Sequence, residues 1–227
     1  MLKDNLEEVF SQIANGNSLG EKITLVGATK TVPIETINQA INYGLQVVAE
    51  NKVQEFREKT DFIKNARQHF IGHLQSNKAK YLVGKVELIQ SIDSLALASV
   101  IDEIAEKRNV VQDILLEVNI GEEPTKSGFK PQEIIEQAHR VSELNHVSVK
   151  GLMAMLPNNC DEEKKVQLCL QMRNLFDILK SEGLPFLYLS LGMSEDYLTA
   201  IKCGSNMIRL GSKIFGKRNY GENNGTI

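Results

Sequence analysis

Eight short apolar runs alternate with longer amphipathic stretches along this chain, and that alternation constrains the fold more than any other feature. The runs cover residues 23–28, 46–49, 69–71, 87–90, 113–119, 149–155, 186–189 and 206–210. Each is rich in β-branched or large aliphatic side chains and too short to stand as a free helix, so each reads as a buried strand. The stretches between them read as helices. Residues 33–44 carry Pro33 in the first turn and Gly44 at the end, the usual punctuation of a helix. Residues 94–109 place Leu95, Ala98, Ile101, Ile104 and Ala105 at helical spacing, and 131–144 and 162–183 are similar. Ser194-Glu195-Asp196 reads as an N-cap followed by acids in a first turn.

Strands alternating with helices imply an all-parallel sheet. An open, doubly wound sheet more often has about six strands, and no GxGxxG follows the first run. The expected fold is therefore α/β, a single closed (β/α)8 TIM-type barrel. The acidic amphipathic segment that opens the chain adds an extra N-terminal helix within residues 1–20, packed outside the barrel or across its base. One domain spans residues 1–227, with 221–227 as a flexible tail.

Composition limits the function classes. The chain has 227 residues, 42% hydrophobic and 24% charged, enough to bury a core without metal or disulfides. A net charge of −3 provides no long-range attraction to nucleic acid or to an anionic membrane. No apolar run approaches the ~18 residues of a membrane helix, and the start lacks the basic-then-apolar order of a signal peptide. Cys160, Cys169 and Cys203 match neither a zinc nor a CxxC spacing. They read as reduced thiols of a cytoplasmic protein.

A barrel keeps its active site at the C-terminal ends of its strands. Those ends hold lysines, glycines and polar residues here, over apolar strand bodies. Lys30 closes the first strand, and its neutral amine could attack a carbonyl. From position alone, a lysine there more often reaches solvent. The loops after strands seven and eight are where barrels often bind phosphate. They offer Ser190, Gly192 and Ser194, then Gly211 and Ser212. Arg209 lies within the last strand and needs an acceptor, which an internal salt bridge could equally supply. Asn51 and His73 could be ligand contacts or ordinary hydrogen bonds. No histidine has a metal-ligand partner at useful spacing, and no metal is expected.

Seven segments together carry a resemblance. They are Val26-Gly-Ala-Thr-Lys30, Glu50-Asn-Lys-Val-Gln-Glu55, His69-Phe-Ile-Gly-His-Leu-Gln-Ser-Asn-Lys78, Lys126-Ser-Gly128, Gly151-Leu-Met-Ala-Met155, Leu189-Ser-Leu-Gly-Met-Ser194 and Ile208-Arg-Leu-Gly-Ser-Lys-Ile-Phe-Gly216. In this order, over nearly the whole chain, they resemble the pyridoxal phosphate homeostasis proteins. The resemblance implies a fold type III barrel like the N-terminal domain of alanine racemase. It implies an internal aldimine of pyridoxal 5′-phosphate on Lys30. Ser190, Gly211 and Ser212 would hold the phosphate, Arg209 would face the pyridine nitrogen, and Asn51 would lie beside the ring or its 3-hydroxyl.

Two positions depart from the family pattern: Ala49 stands where glycine is usual, and Gly211-Ser212 where Gly-Thr is usual. Serine keeps the hydroxyl and the N–H.

The implied role is a non-catalytic carrier and regulator of intracellular pyridoxal phosphate, monomeric, that hands the cofactor to apoenzymes. An amino-acid racemase is the first alternative. It needs a second acid/base group opposite Lys30, and the chain ends soon after the eighth strand, where racemases add a further domain. A barrel for another phosphorylated metabolite is the second alternative. Lys202, Lys213, Lys217 and Arg218 form a modest basic cluster that reads as a solvated face or, less simply, as a second cofactor site.

Overall fold

A computed structural model describes residues 1–216. The expected tail at 221–227, and Lys217 and Arg218, lie outside the described residues. The eight expected strands are all present: β1 Thr24–Ala28, β2 Val47–Glu50, β3 Arg67–Phe70, β4 Leu88–Ile92, β5 Gln112–Glu117, β6 Val147–Met153, β7 Tyr188–Ser190 and β8 Met207–Leu210. They are parallel and close into a barrel in sequence order, with β8 back against β1. The register slips between β4 and β5 and between β5 and β6. The second slip sits beside Gly151, where a Cβ would lie 1.9 Å from the Tyr188 carbonyl oxygen. Only glycine fits there.

The helices are α1 Leu2–Ile13, α2 Ile34–Asn42, α3 Val53–Lys59, α4 Leu95–Lys107, α5 Ile134–Ser142, α6 Glu162–Ser181, α7 Tyr197–Lys202 and α8 Ser212–Phe215. A 3-10 segment, Ser76–Tyr81, stands between β3 and β4 in place of a full helix. Because side chains alternate along a strand, one set fills the barrel and the other meets the helices. Val26, Val47, Ala49, Leu88, Leu115, Met153 and Met207 form the interior cluster. The outward residues, such as Ile89, Ile114, Leu116 and Leu152, pack under α4, α5 and α6. Each such buried aliphatic side chain contributes roughly 1.5–3 kcal/mol relative to exposure. Ala49 pairs in register with Ala28 and His69, so replacing the usual glycine leaves β2 regular.

The N-terminal helix is shorter than residues 1–20. Asn17 ends the run by accepting the N–H groups of Leu19 and Glu21, between Gly16 and Gly20 at φ +77° and +76°. That left-handed turn is available to glycine without penalty. α1 packs on the outside of the barrel. Leu6 and Val9 bury against the group that holds Ile37 and Ile214, and Asn5 Nδ2 donates to the Ile214 carbonyl at 2.9 Å.

Ser194 does not cap α7. The helix begins after Asp196, whose Oδ1 instead accepts the Met193 N–H, and Ser194 Oγ accepts the Lys213 N–H at 3.3 Å. No described helix is long and apolar enough to cross a membrane. Cys160, Cys169 and Cys203 are all free.

Candidate functional site

A cleft of about 700 Å³ opens at the C-terminal end of the barrel. Lys30, Asn51, Arg209, Gly211 and Ser212 all line it, so five of the six sequence-derived candidates share one space. Its volume falls within the ~300–1,000 Å³ typical of small-molecule sites. A second space of about 240 Å³ adjoins it, shares Lys30, Gly211 and Ser212, and reaches Thr36 and Phe215.

Lys30 is half-buried at the first turn after β1. Its neighbour Thr31 takes φ +62°, an uncommon conformation for a β-branched residue. Glu55 holds this turn by accepting the Thr31 N–H at 2.8 Å. Lys59 then binds three partners: the Thr29 carbonyl at 3.0 Å, Glu50 at 2.8 Å and Glu55 at 2.9 Å. Thr29 Oγ1 adds a bond to Glu50 at 2.6 Å. Burial outweighs these partners and raises the Glu50 carboxyl above its ordinary value. The turn bearing Lys30 is thus fastened to both β2 and α3.

Arg209 is almost fully buried. Among the described residues its guanidinium touches no carboxylate. One amino group donates to the Ser190 carbonyl at 2.9 Å and to Ser190 Oγ at 2.6 Å, and the other donates to the Ala154 carbonyl at 2.9 Å. Burial lowers its pKa to about 10, opposed by the charges of Glu117 and Asp196, so it remains a cation at neutral pH. Among the described residues, the salt bridge that could have explained a strand arginine is not there.

Ser190 is the exception among the candidates. It does not line the cleft. Its side chain is fully buried one layer beneath, with its hydroxyl committed to Arg209 and to Gln90 Oε1 at 2.8 Å. That loop does bring Ser194 to the cleft, together with Met193, Glu195 and Asp196. Gly192, at φ +97° with a Cβ position 2.8 Å from Tyr197 Cα, makes that turn possible.

Asn51 Oδ1 is buried and has no hydrogen-bond partner among the described residues. An acceptor left in that state carries a desolvation cost unless a donor arrives. Gly72 lets the loop after β3 approach: a Cβ there would sit 2.0 Å from the Asn51 carbonyl oxygen. Gly211 differs. Its φ is −112°, and a Cβ would meet Ala28 only at 3.5 Å. Neither backbone nor neighbours demand glycine there, so the missing side chain leaves room in the cleft itself.

Across the barrel, Glu117 ends β5 on the interior face and is nearly buried. Burial and the Asp93 charge raise its pKa to about 7, against the pull of Arg209 and Lys126. His73 also lines the cleft, with Nδ1 3.4 Å from both Asp93 Oδ2 and Ser127 Oγ. Among the described residues no three His, Cys, Asp or Glu side chains gather as a metal site.

The sequence reading missed Lys59, Asn158 and Lys165, the last two on the cleft wall. The Glu55–Lys59 spacing of four was the available signal for the first. His69, read only as the start of a strand, turns inward, and its Nδ1 lies 3.0 Å from Gln90 Nε2.

The family described as alanine racemase, N-terminal domain, matches residues 8–219. A pyridoxal phosphate homeostasis protein of Aquifex aeolicus (strain VF5) is 45% identical over 201 residues, covering 86% of this chain and 87% of that one. The protein of the same name from Escherichia coli (strain K12) is 35% identical over 205 residues, 88% of each. PipY of Synechococcus elongatus PCC7942, solved with PLP bound, superposes with a TM-score of 0.84 at 30% identity, over 95% of this chain and all of that one. An alanine racemase of Clostridium difficile 630 shares the fold at a TM-score of 0.80 and 16% identity, and this chain covers 56% of it. The barrel, the ordered motifs at its mouth and these likenesses agree: the chain belongs to the alanine racemase N-terminal domain family, and within it to the pyridoxal phosphate homeostasis proteins.

Proposed function

We propose that this protein binds pyridoxal 5′-phosphate in the barrel mouth through a Schiff base on Lys30, and carries it as a single monomeric barrel domain of the cytoplasm rather than catalysing a reaction. The observation that carries this reading is Arg209, a buried cation with no carboxylate partner among the described residues and with donors to spare beside Lys30 and the orphaned Asn51 Oδ1. Donors, one acceptor and an amine match a ring nitrogen, a 3-hydroxyl and an aldehyde. PipY, solved with PLP bound, and relatives named for pyridoxal phosphate homeostasis support the same ligand.

The residues divide the work. Lys30 supplies the amine. Asn51 Oδ1 accepts from the 3-hydroxyl. Arg209 donates to the ring nitrogen. Gly211, Ser212 and Ser194 hold the phosphate, with Ser190 beneath them holding Arg209. Pyridoxal phosphate when bound supplies an electrophilic carbon and an electron-withdrawing ring. Arginine has no proton-accepting site, so Arg209 leaves the ring nitrogen unprotonated and its electron demand weak. That suits storage better than chemistry at an amino acid.

Transfer tests the role. The loaded protein, incubated with a pyridoxal-phosphate-dependent apoenzyme, should restore that enzyme's activity while itself leaving D- and L-alanine unchanged. Steady racemisation of alanine by the loaded protein would contradict the carrier reading. A protein that binds a phosphorylated ligand yet never turns yellow with pyridoxal phosphate would point to a different metabolite.

A further inference from the structure

A line of buried polar side chains crosses the barrel interior below the cleft. Arg209 on β8 donates to Ser190 Oγ at 2.6 Å. Ser190 on β7 donates to Gln90 Oε1 at 2.8 Å. Gln90 on β4 lies 3.0 Å, through Nε2, from Nδ1 of His69 on β3. His69, Gln90, Ser190 and Arg209 are all at least nine-tenths buried.

The direction of this line is fixed at the Arg209 end. A guanidinium has donors only, so Ser190 Oγ must accept from it. The single hydroxyl proton of Ser190 then goes to Gln90, which turns its oxygen toward Ser190 and its amide N–H toward His69. Reversing the amide would leave that hydroxyl proton without an acceptor. His69 Nδ1 therefore accepts, and the ring carries its proton on Nε2. Burial holds the His69 pKa below its ordinary value, which agrees with a neutral ring. Nε2 faces Glu87 Oε1 at 3.6 Å, just before β4.

Counting donors shows what the line does at the cleft. Of the five N–H groups of a guanidinium, those of one amino group go to Ser190 and one of the other goes to Ala154. The Nε–H makes no hydrogen bond among the described residues, and Arg209 lines the cleft. The buried amino group acts as the anchor and the remaining donors as the working face.

We infer that Gln90, through Ser190, is a positioning residue for Arg209: it locks the guanidinium's rotation so that its free N–H groups point at the ligand's acceptor. This rests on the proposed function for the identity of the ligand, though the locking itself is a property of the ligand-free protein. Without Gln90 the Ser190 hydroxyl can turn away and Arg209 gains a choice of orientations. A binding site pays affinity for each group it must order.

The test uses Gln90→Met, similar in volume and without the amide, and Gln90→His, whose neutral ring restores one donor and one acceptor. In ligand-free protein, ¹⁵N NMR should find His69 protonated at Nε2 and one protected Arg209 Nε–H resonance. Gln90→Met should disturb both and weaken pyridoxal phosphate binding about tenfold or more. It should also move the pH profile of the bound cofactor's visible absorbance. Gln90→His should recover most of the affinity. If Gln90→Met folds with the Arg209 resonance, the affinity and the pH profile all unchanged, the inference is overturned. If Gln90→Met is too unstable to study, Ser190→Ala interrupts the same line at Arg209 and carries the same expected and contrary results. A wild type that ignores pyridoxal phosphate while its Arg209 resonance still depends on Gln90 would overturn the proposed ligand and support the positioning.

Discussion

Lys59 donates to the Thr29 carbonyl at 3.0 Å, tying α3 to the turn that presents Lys30. The same ammonium neutralises Glu50, whose side chain is 4% exposed. Lys59→Met removes the tie and leaves that carboxylate buried without its partner. Breaking a buried pair in this way costs about 3–5 kcal/mol. Urea unfolding should report a loss of that order, larger than for Lys3→Met, whose partner Glu7 is exposed at the surface. The variant should also take up pyridoxal phosphate more weakly, because the Lys30 turn is no longer held.

Two glycine substitutions should separate fold from cleft. Gly72→Ala drives a methyl into the Asn51 carbonyl oxygen, 2.0 Å away as built, so the two loops must part. Overpacking of this kind costs at least about 1–3 kcal/mol, and the melting temperature should fall. Gly211→Ala meets only an ordinary contact with Ala28 at 3.5 Å. Its melting temperature should stay near wild type while pyridoxal phosphate affinity drops about tenfold. Equal affinity in Gly211→Ala would remove that glycine from the phosphate end of the cleft.

Glu117 makes stability depend on pH. Its ordinary value is 4.5 and burial beside Asp93 lifts it to about 7 in the folded chain. The folded state therefore favours the protonated carboxyl. Its contribution is fully present below pH 4.5 and is lost as pH rises through about 7. Glu117→Gln removes this dependence. The stability of the variant relative to wild type should rise, between pH 4 and pH 8, by on the order of 3 kcal/mol. Parallel pH curves for the two proteins would contradict the assignment.

Much of this was legible before any coordinates. The strands announced themselves because buried parallel strands are apolar on both faces. Lys30, Asn51, Arg209, Gly211 and Ser212 stood in or beside the strand ends where a barrel keeps its site, but their position left plainer readings open and their roles came from the family resemblance. Glu50 escaped the strand pattern because its charge is neutralised by Lys59, nine residues on and in another element. Ser190 and Ser194 could not be told apart by position. Which of them reaches the cleft depends on how deep β7 sits beside β8, and that depth comes from the stagger of the closed barrel. Gln90 and His69 met for the same reason: each sat in an apolar run as an isolated polar residue, and only closure brings their side chains to 3.0 Å. The end of α1 was set by an Asn17 turn that a helical periodicity does not register.

The visible spectrum of the purified protein with pyridoxal phosphate, before and after borohydride, tests the central claim most directly when Lys30→Ala is run beside it. The account predicts a yellow wild type, bleached by reduction to a stable adduct that peptide mapping places on Lys30, and a Lys30→Ala protein that forms no such adduct. A wild type that stays colourless in excess cofactor, or an adduct that maps to another lysine, would contradict it.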